Sequence, residues 1–278
     1  MNINGLTQVI AHIGYPTQTF KSPMIYNPYF EAADINALVV PFSSQTPVYP
    51  DFLKSVFTCE NVIGALVTMP HKVTTIDLVD RLTPTAQITG SCNAVRRGAD
   101  GKLEGDMFDG EGFVRGVRRK GFAPEGKAAL VVGSGGVGCA IAASLAAAGV
   151  ALLALFDVNA AAAEALAGRL KQHYADLIVE TGSNDPQGFD LVVNATPMGM
   201  YEGDPMPVDV ARIAPEAFVG DVVLQSEITA FLAAAKTKGC VIQVGTDMLF
   251  EQIPVYLEYF GLPTTTAEHL REVARIQY

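Results

Sequence analysis

The apolar run Ala128–Val132 leads directly into Gly133-Ser134-Gly135-Gly136-Val137-Gly138, and that turn leads into an alanine-rich stretch. This feature constrains the fold more than any other. Five consecutive apolar residues suit a strand covered on both faces, as in a parallel sheet. The turn fits G-x-G-x-x-G and is followed by a helical pattern over Val137–Ala148. A second strand, Leu152–Asp157, then ends in a carboxylate about twenty residues on, the context that marks dinucleotide binding. Gly133 allows the tight bend, Gly135 lets the backbone approach a pyrophosphate, and Gly138 lets helix and strand pack closely. Ser134, Gly136 and Val137 complete the turn, where free N–H groups and the positive helix end face the phosphates. Asp157 is placed to accept hydrogen bonds from ribose hydroxyls and to repel a 2′-phosphate. Val158-Asn159-Ala160 brings no Arg or Lys, so the expected cofactor is NAD in preference to NADP.

The same alternation of strand and helix extends along the chain. Val9–Ile13, Ala37–Val40, Ile63–Thr68 and Asn93–Arg97 read as strands. Pro23–Ala33, Pro50–Thr58 and His71–Asp80 carry helical spacing. After the Gly121–Gly126 stretch come the helix Ala160–Gln172 and the strands Leu177–Glu180, Asp190–Asn194 and Phe218–Val223. The helices Thr229–Lys238, Asp247–Phe260 and Thr266–Arg275 close the chain. The fold class expected is α/β: an N-terminal α/β substrate domain with a mostly parallel sheet, plus a Rossmann dinucleotide-binding domain. The boundaries expected are 1–106 with 247–278 for the first, the last helices packing back on it, and 107–246 for the second.

Bulk properties narrow the partners. Among 278 residues, 49% are hydrophobic and 17% charged, with a net charge of −10 and no Lys/Arg-rich run. That balance argues for a large core and against nucleic acid or an anionic membrane as partner. No stretch is apolar enough for a membrane span, and the N-terminus lacks a signal-peptide pattern. Cys59, Cys92, Cys139 and Cys240 are scattered and read as buried residues of a cytoplasmic protein. His12, His71, His173 and His269 form no metal spacing, so no metal is expected. A histidine at a helix start, such as His71, is expected to be solvated. A monomer or a homodimer is compatible with all of this.

Several segments resemble the shikimate/quinate dehydrogenase family. Gly14-Tyr15-Pro16 through Ser22-Pro23 to Tyr26-Asn27 is similar to its first substrate motif. Gly64-Ala65-Leu66-Val67-Thr68-Met69-Pro70-His71-Lys72 is similar to G-x-N-V-T-x-P-x-K. Gly90-Ser91-Cys92-Asn93-Ala94 resembles G-A-x-N-T, and Gly105-Asp106-Met107-Phe108-Asp109-Gly110 resembles G-x-N-T-D-G. Asn194-Ala195-Thr196-Pro197-Met198-Gly199-Met200 resembles N-A-T-x-x-G-M, and Asp247-Met248-Leu249 with Gln252 resembles M-L-x-x-Q. Order and spacing hold from end to end.

The resemblance implies hydride transfer between a nicotinamide and a ring hydroxyl of shikimate or a related cyclic hydroxy acid. It implies Lys72 and Asp109 as the catalytic pair, and Ser22, Thr68, Asn93 and Gln252 as substrate-binding residues. Asn194, Thr196, Pro197 and Met198, with Gly245 and Met248, are implied near the cofactor. Alcohol oxidation needs a group that takes the hydroxyl proton as the hydride leaves, and a lysine oriented by a carboxylate suits that task.

The departures from the family pattern are polar-to-apolar. Phe20 stands for the first serine of the pair that, with a tyrosine, holds the substrate carboxylate in the family. Leu66 replaces an asparagine, Met107 and Phe108 replace Asn-Thr, and Leu224 replaces the tyrosine. Each lost hydrogen bond to a charged group typically costs about 1.5–3 kcal/mol. A divergent enzyme is therefore expected, with Phe20 facing a less polar substrate. Two alternatives stand beside it: an NAD-binding sensor with little catalysis, and a dehydrogenase of the same fold with an unrelated substrate.

Overall fold

A computed structural model describes residues 3–18, 20–224 and 226–276. The chain forms two compact units. The first takes residues up to Phe108 and returns from Ile253 onward, and the second is Asp109–Gln252. Met107 and Phe108 thus belong to the first unit and residues 247–252 to the second, the reverse of the sequence expectation.

The first unit contains β1 (Gln8–Gly14), α1 (Pro23–Ala32), β2 (Ala37–Ser43), α2 (Tyr49–Val56), β3 (Val62–Val67), α3 (Lys72–Thr75), β4 (Arg81–Leu82), α4 (Pro84–Thr89), β5 (Ala94–Arg97) and β6 (Leu103–Asp106). Its sheet runs β2-β1-β3-β5-β6-β4. β1 is parallel to both β2 and β3, whereas β5 is antiparallel to β3 and to β6. The parallel character expected for this sheet therefore holds for β1–β3 and for β4 beside β6, and breaks at β5, which is antiparallel to both its neighbours.

Side chains alternate across a strand. Ala11 and Ile13 of β1 join Ala65 and Val67 of β3 in a core with Tyr49, Leu53 and Phe57. The alternation sends Ile10, His12 and Leu66 to the opposite face.

The second unit contains α5 (Asp109–Arg119), β7 (Ala128–Val132), α6 (Gly136–Ala147), β8 (Leu152–Phe156), α7 (Ala160–His173), β9 (Ile178–Thr181), β10 (Leu191–Asn194), β11 (Phe218–Asp221), α8 (Ala230–Thr237), β12 (Val241–Gln243) and the start of α9 (Gly245–Tyr259). α9 continues into the first unit, where α10 (Ala267–Val273) follows and Arg275 N donates to Met24 O at 2.8 Å. The second sheet is parallel throughout, in the order β12-β11-β10-β7-β8-β9. The chain leaves β7 for β8 on one side and later returns to β10 on the other. That reversal is the position where open α/β sheets bind ligands, beyond the carboxyl ends of the strands.

Glycines set how closely the helices of this unit approach. A Cβ on Gly110 of α5 would collide with the Ala140 carbonyl of α6, and one on Gly112 would lie 2.7 Å from Met248 O. Helix α5 is thereby held against both α6 and the start of α9.

The helix expected over His71–Asp80 is only α3. After Thr75 the backbone tightens to i−3 bonds, as Leu78 N to Thr75 O at 3.0 Å, and Asp80 N then pairs with Leu103 O. Strand pairing with β6 has overridden the helical spacing.

Candidate active site

In the second unit the glycine turn lies at the carboxyl end of β7. Gly133 has φ +106°, which an L side chain rarely adopts, and a Cβ there would lie 2.7 Å from Ala195 O. A Cβ on Gly138 would collide with Gly133 O, so helix and turn are in backbone contact. Gly135 and Gly136 differ: nothing lies within 4 Å of a Cβ built on either. The turn therefore has a packed side and an open side, and the open side carries the first N–H groups of α6. The Ser134 hydroxyl is buried and makes no hydrogen bond among the described residues. This open cradle with an orphaned hydroxyl fits a bound pyrophosphate.

Asp157 closes the turn. Its Oδ2 accepts from Ser134 N at 2.7 Å and its Oδ1 from Asn159 N at 2.8 Å. The carboxylate is thus fixed at the end of β8, beside the turn.

Beyond β10, Asn194 is fully buried and organises the next loop. Its Nδ2 donates to Met198 O at 2.9 Å and to Asp221 Oδ1 at 3.0 Å. Its Oδ1 accepts from the Thr196 hydroxyl at 2.6 Å, and that hydroxyl accepts from Met198 N at 3.1 Å. Thr229 donates to the other oxygen of Asp221 at 2.7 Å. Burial pushes the Asp221 carboxyl up, opposed by these hydrogen bonds. Asn194 and Thr196 therefore shape the loop around Pro197 and Met198, and the Asn194 amide is spent on that framework. A Cβ on Gly245 would lie inside contact distance of Val223 O, which brings the start of α9 onto the end of β11. Met248, on the next turn, is buried.

Asp109 is the first residue of α5 and is 6% exposed. Its Oδ1 accepts from Gln252 Nε2 at 2.6 Å. Two residues 143 positions apart in sequence are thus joined by one hydrogen bond in the interior.

The first unit gathers its own set of residues at the carboxyl ends of β1 and β3. Lys72 opens α3 and is half-buried, and its carbonyl accepts from Cys92 N at 2.8 Å. Thr68 N donates to Ile13 O at 2.9 Å, which ties the segment after β3 to β1. A Cβ on Gly14 would lie 2.5 Å from Thr68 Cγ2 and 2.7 Å from Phe20 Cζ, so Thr68 and Phe20 converge over the end of β1. Asn93 is buried, and its Oδ1 accepts from Phe108 N at 2.9 Å. Ser22 stands at the N-cap of α1 without a capping bond from its side chain.

Sequence reasoning passed over His12. It is buried on β1, and its imidazole stacks on Phe20 with centroids 4.0 Å apart. Desolvation, and secondarily the charge of Lys72, pull its pKa down to about 4. The sequence signal was present as one titratable residue inside the apolar run Val9–Ile13, but nothing in the spacing revealed Phe20 as its partner. His71 also departs from expectation. It is fully buried, bonds Ser44 O through Nε2 at 2.8 Å and stacks on Tyr49 at 3.9 Å. It braces the turn before Lys72. Of the four cysteines, Cys59 is exposed and the other three are buried.

The comparisons with known proteins agree with one another. A family model for the shikimate dehydrogenase substrate binding domain matches residues 12–95. A shikimate dehydrogenase (NADP(+)) from Desulforamulus reducens is 34% identical, over 99% of this chain and 97% of that one. The chain belongs to the shikimate dehydrogenase family. The shikimate 5-dehydrogenase of Listeria monocytogenes, solved in complex with shikimate and NAD, aligns with a TM-score of 0.90 at 25% identity, covering 98% of each chain. A 5-ketofructose reductase from Gluconobacter aligns with a TM-score of 0.88 at 26% identity, covering 96% of this chain and 97% of that one.

Against the shikimate dehydrogenase pattern, the apolar replacements have separate fates. Phe20 stacks on His12, and Leu66 lies buried in register with His12. Met107 is buried, and Phe108 packs edge-on against Tyr256 and Tyr259, at 5.2 Å and 5.1 Å. Leu224 is 54% exposed.

Proposed function

We propose that this chain is a nicotinamide-dependent oxidoreductase. It transfers a hydride reversibly between the cofactor and a ring hydroxyl of shikimate or a related cyclic hydroxy acid. The observation that carries this reading is the open cradle at Gly135 and Gly136, in a chain 34% identical over nearly its full length to a shikimate dehydrogenase. Residues 133–138 would hold the pyrophosphate and Asp157 the ribose, with Asn194, Thr196, Pro197, Met198, Gly245 and Met248 forming the floor under the nicotinamide. A bound nicotinamide supplies the hydride acceptor or donor.

The remaining roles fall to the chain. Lys72 takes the hydroxyl proton in the oxidation and returns it in the reduction, a transfer that a positioned side chain accelerates by about 10²–10⁴-fold. Asp109 takes part in the same transfer, with Gln252 fixing its carboxylate. Ser22, Thr68 and Asn93 offer hydroxyl and amide groups to the substrate's oxygens. Asp157 favours NAD, whereas the name of the Desulforamulus relative points to NADP(+). The fixed carboxylate, with no basic residue in the three positions after it, decides our reading for NAD.

Phe20 favours a second reading within the same chemistry. A phenyl ring where the family places a serine offers nothing to a carboxylate. The structural likeness to a 5-ketofructose reductase makes an uncharged polyol the natural competitor. Steady-state turnover of shikimate, quinate and 5-ketofructose, each with NAD and with NADP in the appropriate redox state, tests both readings. No turnover of any of them by a protein that still binds NAD overturns the substrate class.

A further inference from the structure

His12 has one ring nitrogen, Nδ1, that is buried and makes no hydrogen bond among the described residues. The residue is 7% exposed. Buried polar atoms are nearly always paired, so an unpaired one calls for a partner.

Its surroundings say what that partner is. The β1–β3 register sets His12 beside Leu66, on the face opposite the packed core of Ala11 and Ile13. Phe20 covers one face of the imidazole, with an interplanar angle of 24°. Phe20 and Thr68 meet over Gly14, two residues further along β1. Lys72 is close enough for its charge to act on the ring. The unpaired nitrogen therefore belongs to the same end of the sheet as Thr68 and Lys72.

The other buried histidine of this unit, His71, also has an Nδ1 unpaired among the described residues, but its second nitrogen is already engaged by the fold. His71 is anchored at Nε2 by Ser44 O and stacked on Tyr49, so it is committed to the fold.

We propose that His12 is a substrate-contacting, specificity-determining residue, whose Nδ1 pairs with a hydroxyl of the cyclic substrate adjacent to the one served by Lys72. Leu66, the register partner of His12 on β3, offers no hydrogen bond, so His12 is the polar member of that pair. Burial and Lys72 keep the imidazole uncharged at neutral pH. A neutral ring exchanges a hydrogen bond with a hydroxyl, which both donates and accepts, and carries no charge to draw in a carboxylate. The subsite under Phe20 is thus a hydroxyl subsite.

This inference rests on the reading that Lys72 acts on the substrate, and the experiment separates the two. With whichever of shikimate, quinate or 5-ketofructose gives turnover, His12→Phe keeps the stack and removes the nitrogen. It is expected to raise KM by about tenfold, the equivalent of one hydrogen bond, with kcat and the cofactor KM nearly unchanged. His12→Gln should recover most of that loss. In the wild-type protein the ¹⁵N resonance of His12 Nδ1 should shift when substrate is added to the NAD complex, a readout that needs no variant. An unchanged KM in a folded His12→Phe protein, or no resonance shift at saturating substrate, overturns the proposal. Full turnover by Lys72→Ala would instead overturn the reading of the site beneath it.

Discussion

Gln252 Nε2 donates to Asp109 Oδ1 across 2.6 Å, with both side chains buried. The bond is possible because Gly112, one turn along α5, leaves only backbone against Met248 and Gln252. The carboxylate is therefore tied to α9. Asp109→Asn should lower kcat by about 10²–10⁴-fold, the range for loss of proton-transfer assistance. Gln252→Leu keeps the volume and removes the donor, and should lower kcat by about tenfold. Steady-state kinetics with matched circular dichroism checks both. Equal, small effects would mean that the pair serves packing alone.

The two ends of the glycine turn should fail differently. Alanine at Gly138 would collide with Gly133 O, whereas alanine at Gly135 meets nothing within 4 Å. Overpacking a tight contact costs about 1–3 kcal/mol. Gly138→Ala should therefore lower the unfolding free energy by about 2 kcal/mol, read by urea titration. Gly135→Ala should leave that free energy nearly unchanged and still weaken NAD binding by about tenfold, because its methyl group enters the space a phosphate needs. Calorimetric titration with NAD measures the second effect.

Asp157 supplies the test of cofactor choice. Both of its oxygens already accept backbone N–H bonds, which fixes a negative charge beside the turn. A second phosphate within a few ångströms of that charge is repelled by about 1–4 kcal/mol, depending on solvent exposure. Wild-type kcat/KM should favour NAD over NADP by about tenfold or more, and Asp157→Asn should narrow the ratio by about tenfold. A wild-type preference for NADP would place this chain with the NADP(+) relatives and remove the assigned role of Asp157.

Much of this was legible in the sequence because local pattern and global fold agree where the sheet is parallel and buried. β7, the glycine turn and β8 each follow from a run of residues that reads the same way in isolation and in the fold. The edge of the first sheet was not legible. β4 is two residues long, and it exists because Arg81 and Leu82 pair with Glu104 and Gly105 across a gap in sequence, which no local pattern encodes. The roles proposed for Lys72 and Asp109 rest on motif resemblance, since spacing alone makes them a helix-start lysine and a cap. The environment of His12 was hidden for a related reason. Its partner Phe20 lies in an irregular segment, and side-chain stacking from a loop leaves no periodic trace.

His12 also makes a prediction about stability that does not depend on any substrate. An unfolded histidine titrates near 6.5, while burial and, less strongly, Lys72 bring the folded value to about 4. Between those values the unfolded chain binds a proton that the folded chain does not, so stability falls as pH drops through that window. Asp221 acts in the opposite sense: its carboxyl is raised by burial, so its contribution falls as pH rises above the ordinary carboxylate value. His71 is lowered by burial, with Ser44 O opposing, and adds to the acid loss. The comparison of wild type with His12→Phe removes these shared contributions. Between pH 7 and pH 4.5 the wild type should lose about 2 kcal/mol more unfolding free energy than the variant, from the linkage of the two pKa values. Urea titrations at the two pH values measure it. Equal losses in the two proteins would mean that the folded chain protonates His12 as readily as the unfolded one, and that its ring is not held away from water by Phe20.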